Sequence, residues 1–312
     1  MLTDALTWHP SAPLQPLNLA WLKDAGVEVA ILRLDLIDAL ISGNKWFKLS
    51  EHLREALEAG ADGVISLGGA HSNHLHALAA AGKRFGFPTV GLLRGHAQDT
   101  PTTRDLQAFG MHLHWLGYGG YRARHEAGFW LPWRARHPEL HPVPEGGGGL
   151  AGTLGCGVLR EMVRSQLSIL GWDDYDGWWL AAGTGTTLAG LILAEAGAHP
   201  LHGALAVPDD HGVASNVAAV LEQAGHVRDT ANWTLHQASR GGFARTDPQL
   251  LAFITEAEAE SGVLLEPLYT GKALLALQEQ VRAGLFRPGS RLIFVHTGGL
   301  QGRRGMGLSD PI

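Results

Sequence analysis

The chain has 312 residues, long enough for two α/β lobes and too long for one small domain. Hydrophobic residues make up 45% of it and charged residues 17%, the balance of an ordinary soluble globular protein. A formal net charge of −6 leaves no basic stripe for nucleic acid, and no apolar run approaches the roughly 20 residues that span a membrane. An anionic ligand must then be held by local N–H groups and helix ends. Cys156 is the single cysteine, which excludes an intramolecular disulfide and is compatible with a reducing compartment. No basic-then-apolar leader opens the chain, so a cytoplasmic location is expected.

In chain order, Val29–Leu34 reads as a strand and Phe47–Ala59 as a helix ended by Gly60. Between them, Gly43-Asn44-Lys45 sets a lysine among tight-turn residues. Most lysines are solvated, but the stem of Lys45 can lie against Trp46 and Phe47. Loss of water there would lower its pKa toward the neutral amine that Schiff-base chemistry needs. Gly63–Gly68, a short apolar run bounded by glycines, suits a buried parallel strand. His71-Ser72-Asn73-His74 then puts a hydroxyl and an amide where strand turns into helix. Ser72 or Asn73 can cap the helix Leu75–Phe85, which Gly86 ends. Phe87–Leu93 restarts a strand. This rhythm predicts βαβ units and a mostly parallel sheet.

Residues 94–150 are less regular, with a possible helix at Thr103–Phe109 and a strand at Met111–Leu116. Pro142, Pro144 and the run Gly146–Gly149 mark the best candidate lobe boundary by composition. The rhythm then resumes with helix Leu154–Leu170, strand Gly177–Ala182, the loop Gly183-Thr184-Gly185-Thr186-Thr187, helix Leu188–Ala196 and strand Leu201–Val207. Helices are expected at 212–224, 247–261 and 271–283. Strand Arg291–His296 leads into Thr297-Gly298-Gly299.

Ligands of open α/β sheets bind outside the carboxyl ends of the strands, where this reading puts the loops 69–74, 183–187 and 296–299. The first two open helices, so their free N–H groups make anion sites, suited to one phosphate and one carboxylate. Plain turn geometry is the alternative for either loop alone. A dinucleotide fingerprint fits poorly, because Leu188 stands where its third glycine belongs, and no Gly-Lys-Ser/Thr makes a nucleotide P-loop. His71, His74 and His76 do not share one helical face and have no acidic or cysteine neighbour. They are expected to support the turn by hydrogen bonds, and no metal is expected. No Gly-x-Ser-x-Gly elbow marks a serine hydrolase.

Taken in order, Gly43-Asn44-Lys45 with Lys48-Leu49, Ser72-Asn73-His74, Gly183 to Gly190, Tyr269-Thr270-Gly271-Lys272 and His296-Thr297-Gly298-Gly299 resemble one family. It is the family of 1-aminocyclopropane-1-carboxylate deaminases and D-cysteine desulfhydrases, pyridoxal-phosphate enzymes of fold type II. The resemblance implies two open parallel-sheet α/β lobes, tryptophan synthase β-like. The large cofactor-binding domain would be residues 1–47 and 151–312, with 48–150 a small inserted domain and the cofactor in the cleft between. It also implies a homodimer.

By the same resemblance, Lys45 carries the pyridoxal 5′-phosphate as a Schiff base and moves protons at Cα. Asn73 bonds the cofactor's 3-hydroxyl, while Gly183, Thr184, Gly185, Thr186 and Thr187 cradle its phosphate. Ser72, with Asn73 and His74 beside it, holds the substrate carboxylate. Tyr269 sits by the ring and the substrate side chain, and Thr297 faces the pyridine nitrogen. Deaminases of the family carry glutamate at the position of Thr270, where it keeps that nitrogen protonated for ring opening. A hydroxyl makes a shallower electron sink, which suits loss of a thiol from a small amino acid and favours D-cysteine. Phe243 stands where the family commonly has a second tyrosine in the substrate site. Four glycines replace the serine and asparagine usual near 145–150.

Overall fold

A computed structural model describes residues 1–226, 232–242 and 244–306. Two sheets organise the chain. The larger has the order β1-β2-β10-β7-β8-β9, with β1 Leu14–Pro16, β2 Glu28–Arg33, β7 Gly177–Ala182, β8 Leu201–Leu205, β9 Trp233–Gln237 and β10 Arg291–His296. β1 runs antiparallel to β2 and every other pair is parallel. The smaller sheet, β5-β4-β3-β6, is parallel throughout and uses β3 Gly63–Gly68, β4 Thr89–Leu93, β5 His112–Trp115 and β6 Leu140–Val143. β3, β4 and β7 are buried along their whole length, which is why they read as unbroken apolar runs. Helices cover both faces, so one core cluster holds Leu53, Leu78, Leu93, Leu180 and Val295, and a second holds Trp179, Ile254 and Leu274. Among the described residues no helix is long and apolar enough to cross a membrane.

Several local outcomes differ from the sequence reading. The helix expected at 154–170 is broken into Gly149–Gly155, Val158–Arg164 and a 3-10 turn at Leu167–Leu170. The break follows from close packing: a Cβ on Gly155 would lie 2.0 Å from Phe47 O, and one on Gly190 2.7 Å from Cys156 Cβ. The backbone tightens there, with Cys156 N bonded to Thr153 O. The edge strand β6 was not expected, since it is four residues long and contains Pro142, which an edge tolerates because one side needs no ladder bond. In the run Gly146–Gly149, the candidate lobe boundary, Gly146 and Gly147 lie against Lys45, Lys48, His74 and Thr184.

Candidate active site

The carboxyl ends of β2, β7 and β10 meet where the chain approaches Lys45. Asn44 N donates to Thr297 O at 3.1 Å, and Gly43 N donates to Leu34 O at 2.9 Å. Gly43 (φ +85°) and Gly298 (φ +79°) touch backbone to backbone, because a Cβ on Gly43 would lie 2.3 Å from Thr297 O. Only residues without side chains permit that approach in those conformations. Lys45 therefore opens the helix Lys45–Glu58 directly above the end of β10. Asn44, buried, donates from Nδ2 to Thr187 Oγ1 at 2.9 Å and ties the lysine's turn to the glycine-threonine loop.

Lys45 and Lys48 lie one turn apart on this helix and form a pair. Burial lowers both amines, and the charge of Lys48 lowers Lys45 well below the ordinary lysine value. The hydrogen bond between them raises Lys48 and lowers Lys45. Both amines are thus held below the ordinary lysine value, Lys45 the further of the two. Of the pair, Lys45 is the better poised as a nucleophile and Lys48 as a cation beside a bound anion. The role of Lys48 was missed in the sequence, although its i,i+3 spacing from Lys45 was a usable signal.

Gly183–Thr187 forms the facing wall. The helix Thr186–Glu195 starts after Gly185 (φ +82°) with no side chain capping it, so its first N–H groups are available to a ligand. Thr184 Oγ1 and Thr186 Oγ1 stand 2.9 Å apart at this helix start. The Tyr269 ring lies on Gly183, where a Cβ would come within 2.9 Å of it. Burial and the Glu266 carboxylate push the Tyr269 phenol up, so it stays protonated. Asn73 is held by Gln301, whose Nε2 donates to Asn73 Oδ1 at 3.0 Å.

One pocket is lined by Lys45, Asn73, Gly183, Thr184, Gly185, Thr186, Thr187, Tyr269 and Thr297, together with Ser42, Asn44 and Lys48. Three expected residues stand behind that lining. Ser72 caps the helix Asn73–Phe85, its Oγ accepting from Leu75 N at 3.2 Å. His74 is buried, its Nε2 donating to Ser66 Oγ at 2.8 Å, while burial and Lys45 lower its pKa well below the usual value. Thr270 is fully buried and its Oγ1 donates to Glu266 Oε1 at 3.1 Å. Phe243 lies outside the described residues.

Glu266 was not singled out from the sequence. Its buried carboxylate accepts from Leu268 N at 2.7 Å and Tyr269 N at 2.9 Å, so it caps the helix Thr270–Arg282. Burial raises its pKa, and the bonds from Thr270, Leu268 and Tyr269 offset part of that rise. An acid four residues before a helical threonine inside an apolar run was the available signal. Gly146 and Gly147 (φ +70° and +68°) close the pocket from above: a Cβ on Gly146 would lie 3.9 Å from Lys45 Nζ. Glu145 anchors this cover, accepting from Arg124 Nε at 2.6 Å and from Tyr121.

A lysine amine held well below its ordinary pKa, a second lysine beside it, an uncapped helix start with two hydroxyls and a flat ring form a pocket shaped for a phosphorylated aromatic aldehyde. A family described as pyridoxal-phosphate dependent enzymes matches residues 8–298. The 1-aminocyclopropane-1-carboxylate deaminase of Burkholderia lata is 30% identical over 319 residues, covering 95% of this chain and 93% of the relative. A bifunctional D-cysteine desulfhydrase/1-aminocyclopropane-1-carboxylate deaminase, mitochondrial, from Arabidopsis thaliana is 28% identical over 316 residues, covering 94% and 77%. A crystal structure of an ACC deaminase homologue superposes with a TM-score of 0.80 at 26% identity, covering 98% of this chain and 97% of that one. The chain therefore belongs to the pyridoxal-phosphate dependent enzymes, in the branch of 1-aminocyclopropane-1-carboxylate deaminases and D-cysteine desulfhydrases, and its cofactor is pyridoxal 5′-phosphate.

Proposed function

We propose that the protein is a lyase that converts D-cysteine and water to pyruvate, ammonia and sulfide. One observation carries this choice of substrate. None of the described residues lining the pocket is acidic, and the side chain at 270 is a hydroxyl engaged by Glu266. When bound, pyridoxal phosphate supplies an electron sink for charge developing at the substrate's Cα. With no carboxylate to fix a proton on the ring nitrogen, that sink is shallow, which suits expulsion of a thiolate better than opening of a cyclopropane ring.

The protein's own groups divide the remaining work. Lys45 Nζ, its pKa well below the ordinary lysine value, would anchor the cofactor and then take the Cα proton. Lys48, the first-turn N–H groups after Gly185 and the hydroxyls of Thr184 and Thr186 hold the phosphate, with Gly183 and Thr187 shaping the loop. Ser72 and the N-terminus of the helix Asn73–Phe85 receive the substrate carboxylate, with His74 buttressing that turn from below. Asn73, fixed by Gln301, would hold the ring hydroxyl through its amide, and Thr297 would hold the ring nitrogen. Tyr269 covers Gly183 and keeps water from the reacting face. The smaller sheet is drawn from residues 63–143 alone, which supports 48–150 as the inserted domain between 1–47 and 151–312. A homodimer and a cytoplasmic location rest on the family resemblance and the composition.

The deciding test is product release by the cofactor-loaded protein from D-cysteine, L-cysteine and the cyclopropane acid in parallel. Pyruvate and sulfide in equal amounts, fastest from D-cysteine, are expected. Faster release of a four-carbon oxo acid from the cyclopropane acid would overturn the choice of substrate.

A further inference from the structure

The helix that opens with Lys45 carries a second group of polar side chains two turns further on. His52 and Glu55 share a face at i,i+3, and His141 reaches them from the edge strand β6. One ligand atom from each lies within 4.8 Å of the others. His52 is 4% exposed and its Nε2 is 3.0 Å from Gly148 O. A carbonyl can only accept, so Nε2 carries the hydrogen and Nδ1 presents a lone pair.

That lone pair is buried and has no hydrogen-bond partner. It faces the Glu55 carboxylate at 3.5 Å, and His141 Nε2 stands 3.8 Å from the same oxygen. Two imidazole nitrogens thus converge on one carboxylate oxygen, and the buried one has no hydrogen-bond partner. A tetrahedral ion with bonds of about 2.0–2.1 Å has ligand atoms about 3.3–3.4 Å apart; two of the pairs here stand at 3.5 and 3.8 Å and the third within 4.8 Å, so small side-chain shifts would close the set.

We propose that His52, Glu55 and His141 bind a divalent zinc-type cation, with the fourth position open to water beside the half-exposed Glu55. Two imidazoles and one carboxylate select such an ion over magnesium, which prefers oxygen. The hydrogen bond from His52 Nε2 to Gly148 O orients the imidazole in the manner of outer-sphere partners at zinc sites. It also attaches the ion to the glycine segment that covers Lys45. His52 lies seven residues, about 10 Å of helix, from Lys45, so the ion holds the cover and takes no part in bond breaking.

The test is calorimetric titration of Zn²⁺ into chelator-treated, cofactor-loaded protein, with His141→Ala and Glu55→Gln alongside. Glu55 is half-exposed and His141 lies on an edge strand, and an unchanged visible spectrum and melting temperature without zinc would establish that both variants fold. One ion per chain is expected, with a rise in melting temperature, and each substitution should weaken binding by at least about tenfold. Absence of saturable one-to-one binding in the parent protein would overturn the proposal. So would zinc binding of equal strength in both variants, which would place the ion elsewhere. Neither result depends on which amino acid the enzyme consumes.

Discussion

Replacing Lys48 by methionine keeps a long buried stem and deletes its charge. In general, two positive charges about 4 Å apart repel by about 4 kcal/mol at an effective dielectric of about 20, and the charge of Lys48 is among the causes that lower Lys45. Burial is the larger cause of the depressed Lys45 amine and survives the substitution. The pKa of Lys45 in Lys48→Met should therefore rise without regaining its ordinary value. The assay is the rate at which cofactor-free protein captures pyridoxal, followed by visible absorbance across pH. Pyridoxal lacks the phosphate, so loss of a phosphate contact at Lys48 does not enter. Capture begins where Lys45 becomes neutral, and that onset should move to higher pH in the variant. The same logic governs stability. A lysine depressed in the fold binds fewer protons than its unfolded counterpart, so the cofactor-free protein gains stability as pH rises from the folded pKa toward 10.5. That slope should span a narrower pH range in Lys48→Met. An onset that stays in place or moves to lower pH would refute the pairing of the two amines.

Gly298→Ala sets a Cβ 2.4 Å from Gly43 Cα at a φ of +79°, backbone against backbone. A loss of about 2–4 kcal/mol is expected from the combined strain and overlap, read as a lowered urea midpoint, and an unchanged midpoint would contradict it. Thr270→Glu would put a second carboxylate beside Glu266, whose Oε1 is 3.1 Å from Thr270 Oγ1. It should destabilise by about 3–5 kcal/mol, with much of the loss recovered in the double variant with Glu266→Gln. Equal stability of Thr270→Glu and the parent would remove Glu266 from the account.

The parts of the fold visible in the sequence are those in which local pattern and burial agree. β3, β7 and β10 are apolar runs that end at glycines or at polar loops, and the site residues on their carboxyl ends could be placed from that alone. β1 and β6 were invisible because three and four residues carry no period and each contains a proline. The helix at 154–170 was misjudged because its interruption is imposed from outside, by Phe47 and Gly190 packing against it at backbone distance. The same distinction holds at the site. Lys45, Asn73 and the 183–187 loop announce themselves by residue type. Lys48 as the partner of Lys45, Asn44 as a tie to Thr187, and Glu266 as a buried cap depend on surroundings that only folding brings together.

The cover over Lys45 has no side chains. Gly146, Gly147 and Gly149 all hold positive φ, and at Gly147 even a methyl would meet Lys48 and His74. Such a surface offers only amide hydrogens, carbonyls and bare Cα atoms to whatever lies beneath it. It can sense the parts common to every amino acid and is blind to the part that distinguishes one from another. Drift in this segment is therefore a poor route to a new substrate, because a side chain added there strains the backbone before it touches the ligand. Any change of diet in this lineage must be written on the opposite wall, around Tyr269 and the loop that Lys272 ties down through Ser239 and Gly242.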